Sequence, residues 1–313
     1  MKAQDGSAED LGDVMSVSLK DVVKPTFGFQ SALQGAGTPN QAGIGGFLPL
    51  AVGDNSVWFV DALINANFAD REGDSSIINT DVAGTTVSTS TRVGYRWLNG
   101  DRSWMFGLNA GYDSRPVKSG GTSTGITFTQ KETSFFQQMA LDVEAVSSGF
   151  SLNVYGLIPV GDVVTSLNST FNSSALNTYG LDAGYFITPT LKATAGYYYQ
   201  HRDQENIDGS GVRGGLTYEI STGLAAGVNI SYDEVFATRV SADLKIRFGG
   251  PNTTKLRKVV QQQPVINALA STPNDRNIRA YDYMHDTVND VYRNWKDSGI
   301  IVPNCNKWDQ SGC

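Results

Sequence analysis

The chain has 313 residues with 34 Gly and 13 Tyr but only 2 His and 2 Cys, an inventory that favours strands and turns and offers little for metal or thiol chemistry. A net charge of −7 excludes the basic stripe that a nucleic-acid partner requires. No apolar run approaches the roughly 20 residues of a membrane helix, and the mean hydropathy is −0.23; a helical membrane protein is excluded, whereas a β-barrel, apolar only at every second position, is not.

Residues 1–24 form an acidic, polar segment. It shows no basic flank followed by an apolar core, so no export signal is visible, and the chain start is expected to be processed or wrongly called. From Pro25 to Gly250 the sequence divides into about twelve segments of roughly ten residues separated by turn formers, the pattern of a closed antiparallel up-and-down transmembrane barrel. Trp104 to Tyr112, Phe150 to Ile158, Tyr179 to Ile187, Leu191 to Tyr199 and Leu224 to Tyr232 each place large apolar residues on one face and Gly, Asn, Asp or Lys on the other. Between Thr238 and Phe248, Val240, Ala242, Leu244, Ile246 and Phe248 alternate with Arg239, Ser241, Asp243, Lys245 and Arg247.

The links alternate in length. Gly53–Asn55, Asn99–Asp101, Ser147–Gly149, Thr188–Thr190 and Ser221–Gly223 are short; Ala69–Val87, Ser114–Glu132, Gly161–Leu176 and Asp203–Ser210 are long. Short periplasmic turns and long extracellular loops do this. The links Pro25–Asn40 and Tyr232–Arg239 leave ten strands as an alternative to twelve. Outward aromatics gather near strand ends: Tyr95, Trp97, Trp104, Phe150 and Phe248 in one ring, Tyr112, Phe135, Tyr179, Tyr197, Tyr199 and Tyr232 in the other. Such rings suit the two lipid interfaces. The inward set comprises Arg92, Arg96, Asp113, Asp142, Asp182, Lys192, Asp233, Arg239, Asp243, Lys245 and Arg247. It either lines a water-filled pore and sets ion preference, or pairs internally or with a plug.

Residues 251–313 read as a tail. A basic knot at Lys255, Arg257 and Lys258 and a Gln run precede Asn274–Ser298, where Tyr281, Met284, Val288, Val291, Tyr292 and Trp295 recur at helical spacing and predict an amphipathic helix. Cys305 and Cys313 either close a small disulfide loop or remain thiols. His201 sits beside Arg202 and Asp203 at a strand end and His285 beside Asp286, so neither forms part of a recognisable nucleophile site. No Gly-rich phosphate loop opens a helix. The expectation is no enzyme, no metal and no cofactor.

Val93-Gly94-Tyr95-Arg96, followed by the run from Trp104 through Asn109 and Gly111 to Asp113, resembles the translocator barrels of the intimin/invasin family, the inverse autotransporters. The likeness continues through Asn153-Val154-Tyr155 with Pro159, Gly180-Leu181-Asp182, Gly196-Tyr197-Tyr198-Tyr199 and Phe248-Gly249-Gly250, and covers about Pro25 to Gly250. It implies a twelve-stranded outer-membrane barrel in contact with outer-membrane lipid, inserted by the barrel-assembly machinery, that exports a C-terminal passenger through its own lumen for adhesion. The family's peptidoglycan-binding module and immunoglobulin-like repeats have no counterpart in this sequence, so the resemblance leaves residues 251–313 as the expected cargo, threading the lumen or folding beneath it. A diffusion porin lined by the mixed charges and a soluble all-β structural or binding protein are the alternatives.

Overall fold

Along Thr86–Leu98 every second residue, including Ser88, Ser90, Arg92, Gly94 and Arg96, is buried, while Val87, Thr89, Thr91 and Val93 face outward. The period of two that the sequence predicts is therefore the period of the backbone. Its sense is inverted relative to a water-soluble protein, because the charged residues are inside. A computed structural model describes residues 17–33, 39–68, 85–118, 133–166, 171–202 and 207–284. Twelve strands close one barrel: β1 (Thr26–Leu33), β2 (Asn40–Val52), β3 (Ser56–Phe68), β4 (Thr86–Leu98), β5 (Trp104–Lys118), β6 (Thr133–Ser147), β7 (Phe150–Val160), β10 (Asn177–Thr188), β11 (Leu191–Arg202), β12 (Ile207–Ser221), β13 (Leu224–Asp233) and β14 (Ala237–Gly249). Each pairs antiparallel with the next, and β1 seals the seam with β14, Thr26 opposite Gly249 and Leu33 opposite Ala242. The ten-strand alternative is thus set aside, because β1 and β2 form a true hairpin with Thr26 opposite Phe47.

Ile44, Leu48, Leu108, Leu141, Val154, Leu216, Val228, Ile230 and Val240 lie exposed around the outer wall. In water these side chains would cost roughly 1.5–3 kcal/mol each relative to burial. In hydrocarbon they cost nothing, and the closed hydrogen-bond ladder leaves no backbone edge unpaired there. The protein is an outer-membrane β-barrel, and the soluble all-β alternative falls with this surface.

The link between β13 and β14 is short although it lies at the same end as the long loops, so that end is not uniformly long. The loop after β7 contains a hairpin, β8 (Val164–Ser166) with β9 (Phe171–Ala175), and β9 also pairs with β15 (Ala280–Met284) in a separate three-stranded sheet. At the opposite, turn end, Arg102 adopts left-handed backbone with φ 57°. It donates to the carbonyls of Val17 and Asp54 at 2.7 and 2.9 Å, tying two turns to the N-terminal segment. In the same exposed turn, hydrogen bonds from Ser103 hold the Asp101 carboxyl below its usual range.

The remaining elements are helical: α1 (Leu19–Val22), α2 (Thr254–Gln262) and α3 (Pro264–Ala268). Thr253 caps α2 by accepting from the Leu256 amide at 3.3 Å, and Pro264 occupies the start of α3, where its missing N–H has no partner to lose. The tail is therefore helical, as the sequence reading expects, but earlier along the chain than the helical spacing places it. The helix predicted over Asn274–Ser298 does not form across 274–284, which is extended and ends in β15. A free edge on β9 supplies strand partners from Ala280 to Met284, and tertiary pairing overrides the helical spacing. Val288, Val291, Tyr292, Trp295, His285, Cys305 and Cys313 lie outside the described residues.

Candidate functional site: the lumen and the tail that threads it

β14 finishes at the turn end, where the Gly250 amide donates to the Pro25 carbonyl, whereas β15 sits at the loop end against β9. Residues 251–279 must therefore run the length of the bore, and the inward-facing residues of the wall meet them at three levels.

The lowest level is apolar. Leu19, Val22 and Val23 from the N-terminal segment, Val260, Val265, Ile266, Ala268 and Leu269 from the tail, and Phe47, Val57, Phe59, Leu98, Met105 and Val146 from the wall form one buried cluster. Phe47 and Phe59 stack at 5.1 Å, and the Arg96 guanidinium lies 4.5 Å from the Phe59 ring centre, closing the cluster on its inner side. The segment read as merely acidic and polar thus contributes three of the plug's apolar side chains.

The middle level is charged. Arg96 is fully buried; it binds Glu144 through Nε and Nη2 at 2.8 and 3.2 Å and donates through Nη1 to the carbonyls of Ser271 and Leu269 at 2.6 and 3.3 Å. Arg92 forms a two-pronged pair with Asp113 at 2.7 and 2.9 Å, Gln138 donates to the same carboxylate, and the Arg92 Nη2 also donates to the Asp275 carbonyl at 3.2 Å. Asp142 lies 4.0 Å from Arg92. On the far wall Arg213 pairs with Asp182 and, at 2.8 Å, with Asp275. Arg276 pairs with Asp61 at 2.6 Å, and Arg247 donates to Thr272 at 3.1 Å.

At the upper level Arg115 donates to the Ile278 carbonyl at 2.6 Å. Asp233, fully buried, accepts from the Tyr198 hydroxyl and from Arg239, both at 2.6 Å, with Arg279 of the tail 3.7 Å away. The Arg279 guanidinium lies 4.5 Å from the Tyr198 ring centre. Its carbonyl accepts from the Leu176 amide as the chain turns into β15. Beside the tail remains a polar cavity of about 410 Å³ whose wall includes Lys192, Asp243, Lys245, Thr217 and Asn229.

The structure places all eleven inward residues on the bore side of the wall, nine of them in ion pairs or hydrogen bonds, Asp243 through the Asn229 amide at 3.4 Å, with Lys192 and Lys245 beside the cavity. The aromatic residues assigned to the two interface rings lie on the outer face of their strands. Phe150, Tyr179, Tyr197 and Tyr232 are more than 40% exposed, and Trp58, Tyr95, Trp97, Phe106 and Trp104 form a continuous run of ring contacts at the turn end. The sequence reading missed Asp61, Arg115, Glu144 and Arg213 on the wall, and Asp275, Arg276 and Arg279 on the tail. Arg115 shares parity with Asp113, which was signal enough to place it inward.

No family model and no curated protein matches the sequence. Among solved structures, a chain from a study of the in-meso crystallisation of membrane proteins superposes with a TM-score of 0.58 at 12% identity, covering 82% of this chain and 100% of that one. An outer membrane channel from Pseudomonas putida F1 gives a TM-score of 0.45 at 11% identity over 72% and 96% of the two chains. The β domain of the Bordetella autotransporter BrkA gives 0.34 at 12% over 71% and 98%. The first shares the fold; the other two overlie it only loosely.

Proposed function

We infer that this barrel is a translocator of the inverse-autotransporter kind, which carries its own C-terminal segment from the turn end to the loop end of the bore and displays it there. The observation that supports this reading is the single crossing by residues 251–279, plugged at one end by α2 and α3 and tethered at the other by β15 on β9. With short turns periplasmic and loops outside, the crossing runs outward. The role needs no catalytic group. Adhesion would belong to whatever the displayed segment contacts.

The diffusion-porin reading rests on the polar cavity of about 410 Å³ beside the tail. The apolar cluster at the turn end counts against it, because an ion crossing that layer would lose its hydration without replacement.

Labelling the natural Cys305 and Cys313 with a membrane-impermeant maleimide in intact cells, after an impermeant reductant, tests the reading. Reaction without permeabilisation is expected. Reaction only after the outer membrane is breached would overturn outward display.

A further inference from the structure

Among the polar contacts between wall and tail, two chemical classes stand out. Arg96, Arg92 and Arg115 donate to main-chain carbonyls at Leu269, Ser271, Asp275 and Ile278. Every residue carries such a carbonyl, so these arginines hold any extended chain equally well. A different pattern appears at Asp275–Arg276, where adjacent side chains of opposite charge meet opposite charges on two walls. Asp275 is bound by Arg213 of β12 at 2.8 Å and by Asn153 of β7 at 3.4 Å. Arg276 is bound by Asp61 of β3 at 2.6 Å and Ser90 of β4 at 3.1 Å. In the ring order β3-β2-β1-β14-β13-β12, the two anchoring strands lie nearly across the bore from each other. Asp275 also takes left-handed backbone, φ 53°, which Asp tolerates better than most residues, and the Arg276 Nε donates back to the Pro273 carbonyl at 3.0 Å.

We propose that Asp275–Arg276 is a charge-reading lock that sets the register at which the tail comes to rest, while the carbonyl-binding arginines form a sequence-independent track. The proposal rests on the translocator reading and adds to it what ends the movement. An adjacent pair of opposite charges discriminates sharply against slippage. A shift of one residue toward the turn end sets Arg276 against Arg213; a shift the other way sets Asp275 against Asp61. In either direction an attractive contact becomes a repulsive one in a bore of low dielectric. Thr272, bound by Arg247, and Asn267, bound by Glu219, add polar contacts without a charge pair. They carry no comparable penalty for slipping.

Register can be read by disulfide trapping in the full chain in intact cells, with Cys305 and Cys313 replaced by Ser. Ala280 lies directly opposite Ala175 in the β15–β9 pair, so A175C/A280C reports the resting register. A175C/I278C and A175C/D282C report slips of two residues either way. D275R/R276D is expected to lower A175C/A280C trapping by about tenfold or more, the scale set by exchanging charge-assisted pairs for like-charge contacts. D275N/R276Q, which preserves bulk, is expected to divide the signal among the three pairs. Heat-modifiable gel mobility certifies a folded barrel in each case. Trapping that stays wholly on A175C/A280C in both variants overturns the lock. Failure of the translocator reading shows separately, as a wild-type tail that no impermeant reagent reaches.

Discussion

Asp233 illustrates what a single buried carboxylate does in this bore. Its Oδ1 accepts from the amides of Val235 and Phe236 at 3.0 and 2.5 Å, fixing the link into β14, and its Oδ2 accepts from Tyr198 and Arg239. Four donors on one group that is fully buried make the charge of Arg239 tolerable, since the guanidinium would otherwise stand uncompensated. Asp233→Ala is therefore expected to destabilise the barrel by about 3–5 kcal/mol, the cost of orphaning a buried partner. Asp233→Asn keeps an acceptor for the turn amides and should fall between wild type and Ala. The midpoint of urea unfolding, followed by loss of heat-modifiable mobility, orders the three proteins. An Ala variant with the wild-type midpoint would show that water reaching the bore replaces the carboxylate fully. No spacing in the sequence pairs Asp233 with the distant Tyr198; parity indicates that the residue points inward, and only the barrel's curvature brings its partner to it.

At the scale of the strand, aromatic rings facing the bore lie flat over glycines of the neighbouring strand. A Cβ on Gly94 would stand 2.4 Å from the Phe59 ring, and one on Gly180 2.2 Å from that of Tyr155. Gly94→Ala must displace the Phe59 ring, which also packs on Phe47 and Arg96, so a loss of about 1–3 kcal/mol is expected, as for other overpacked cores. Gly100→Ala, where a Cβ meets nothing within 4 Å, serves as the control in the same unfolding measurement. Equal midpoints for the two variants would show that the ring moves freely. Strands such as β13 and β14 were legible in the sequence because lipid demands apolar residues outside and the bore permits polar ones inside, which enforces a period of two. β3 was less so. Its inward Val57 and Phe59 belong to the plug, both faces are apolar there, and the contrast that would have revealed Asp61 disappears. Residues 274–284 of the tail escape the sequence reading for the opposite reason: an extended chain whose partners all lie on other segments has no period of its own. β15 takes its conformation from an edge of β9 more than a hundred residues earlier.

The whole molecule separates into a wall that closes by itself and a tail that fills it. The β1–β14 seam is complete without residues 251–313, and the pairs Arg92–Asp113, Arg96–Glu144, Arg213–Asp182 and Arg239–Asp233 lie wholly within the wall. Removing the tail costs its carbonyl contacts and strands Asp61, but it also opens the bore to water, which solvates what the tail had satisfied. A chain ending at Gly250 is accordingly expected to keep the heat-modifiable mobility of a folded barrel and to conduct steadily in planar bilayers. Its ion preference should be weak, because both signs of charge remain along the wall. The full-length protein should be nearly silent. Ile266→Asp, which places a carboxylate in the apolar layer beside Phe47 and Leu269, should give the full chain intermittent openings, as the plug can accept that charge only by parting. The three recordings locate the barrier. Conductance in the full chain equal to that of the truncated one would place ion flow in the cavity beside the tail and favour the porin reading. A silent truncated barrel of folded mobility would mean instead that α1 or a collapsed wall seals the turn end without α2 and α3.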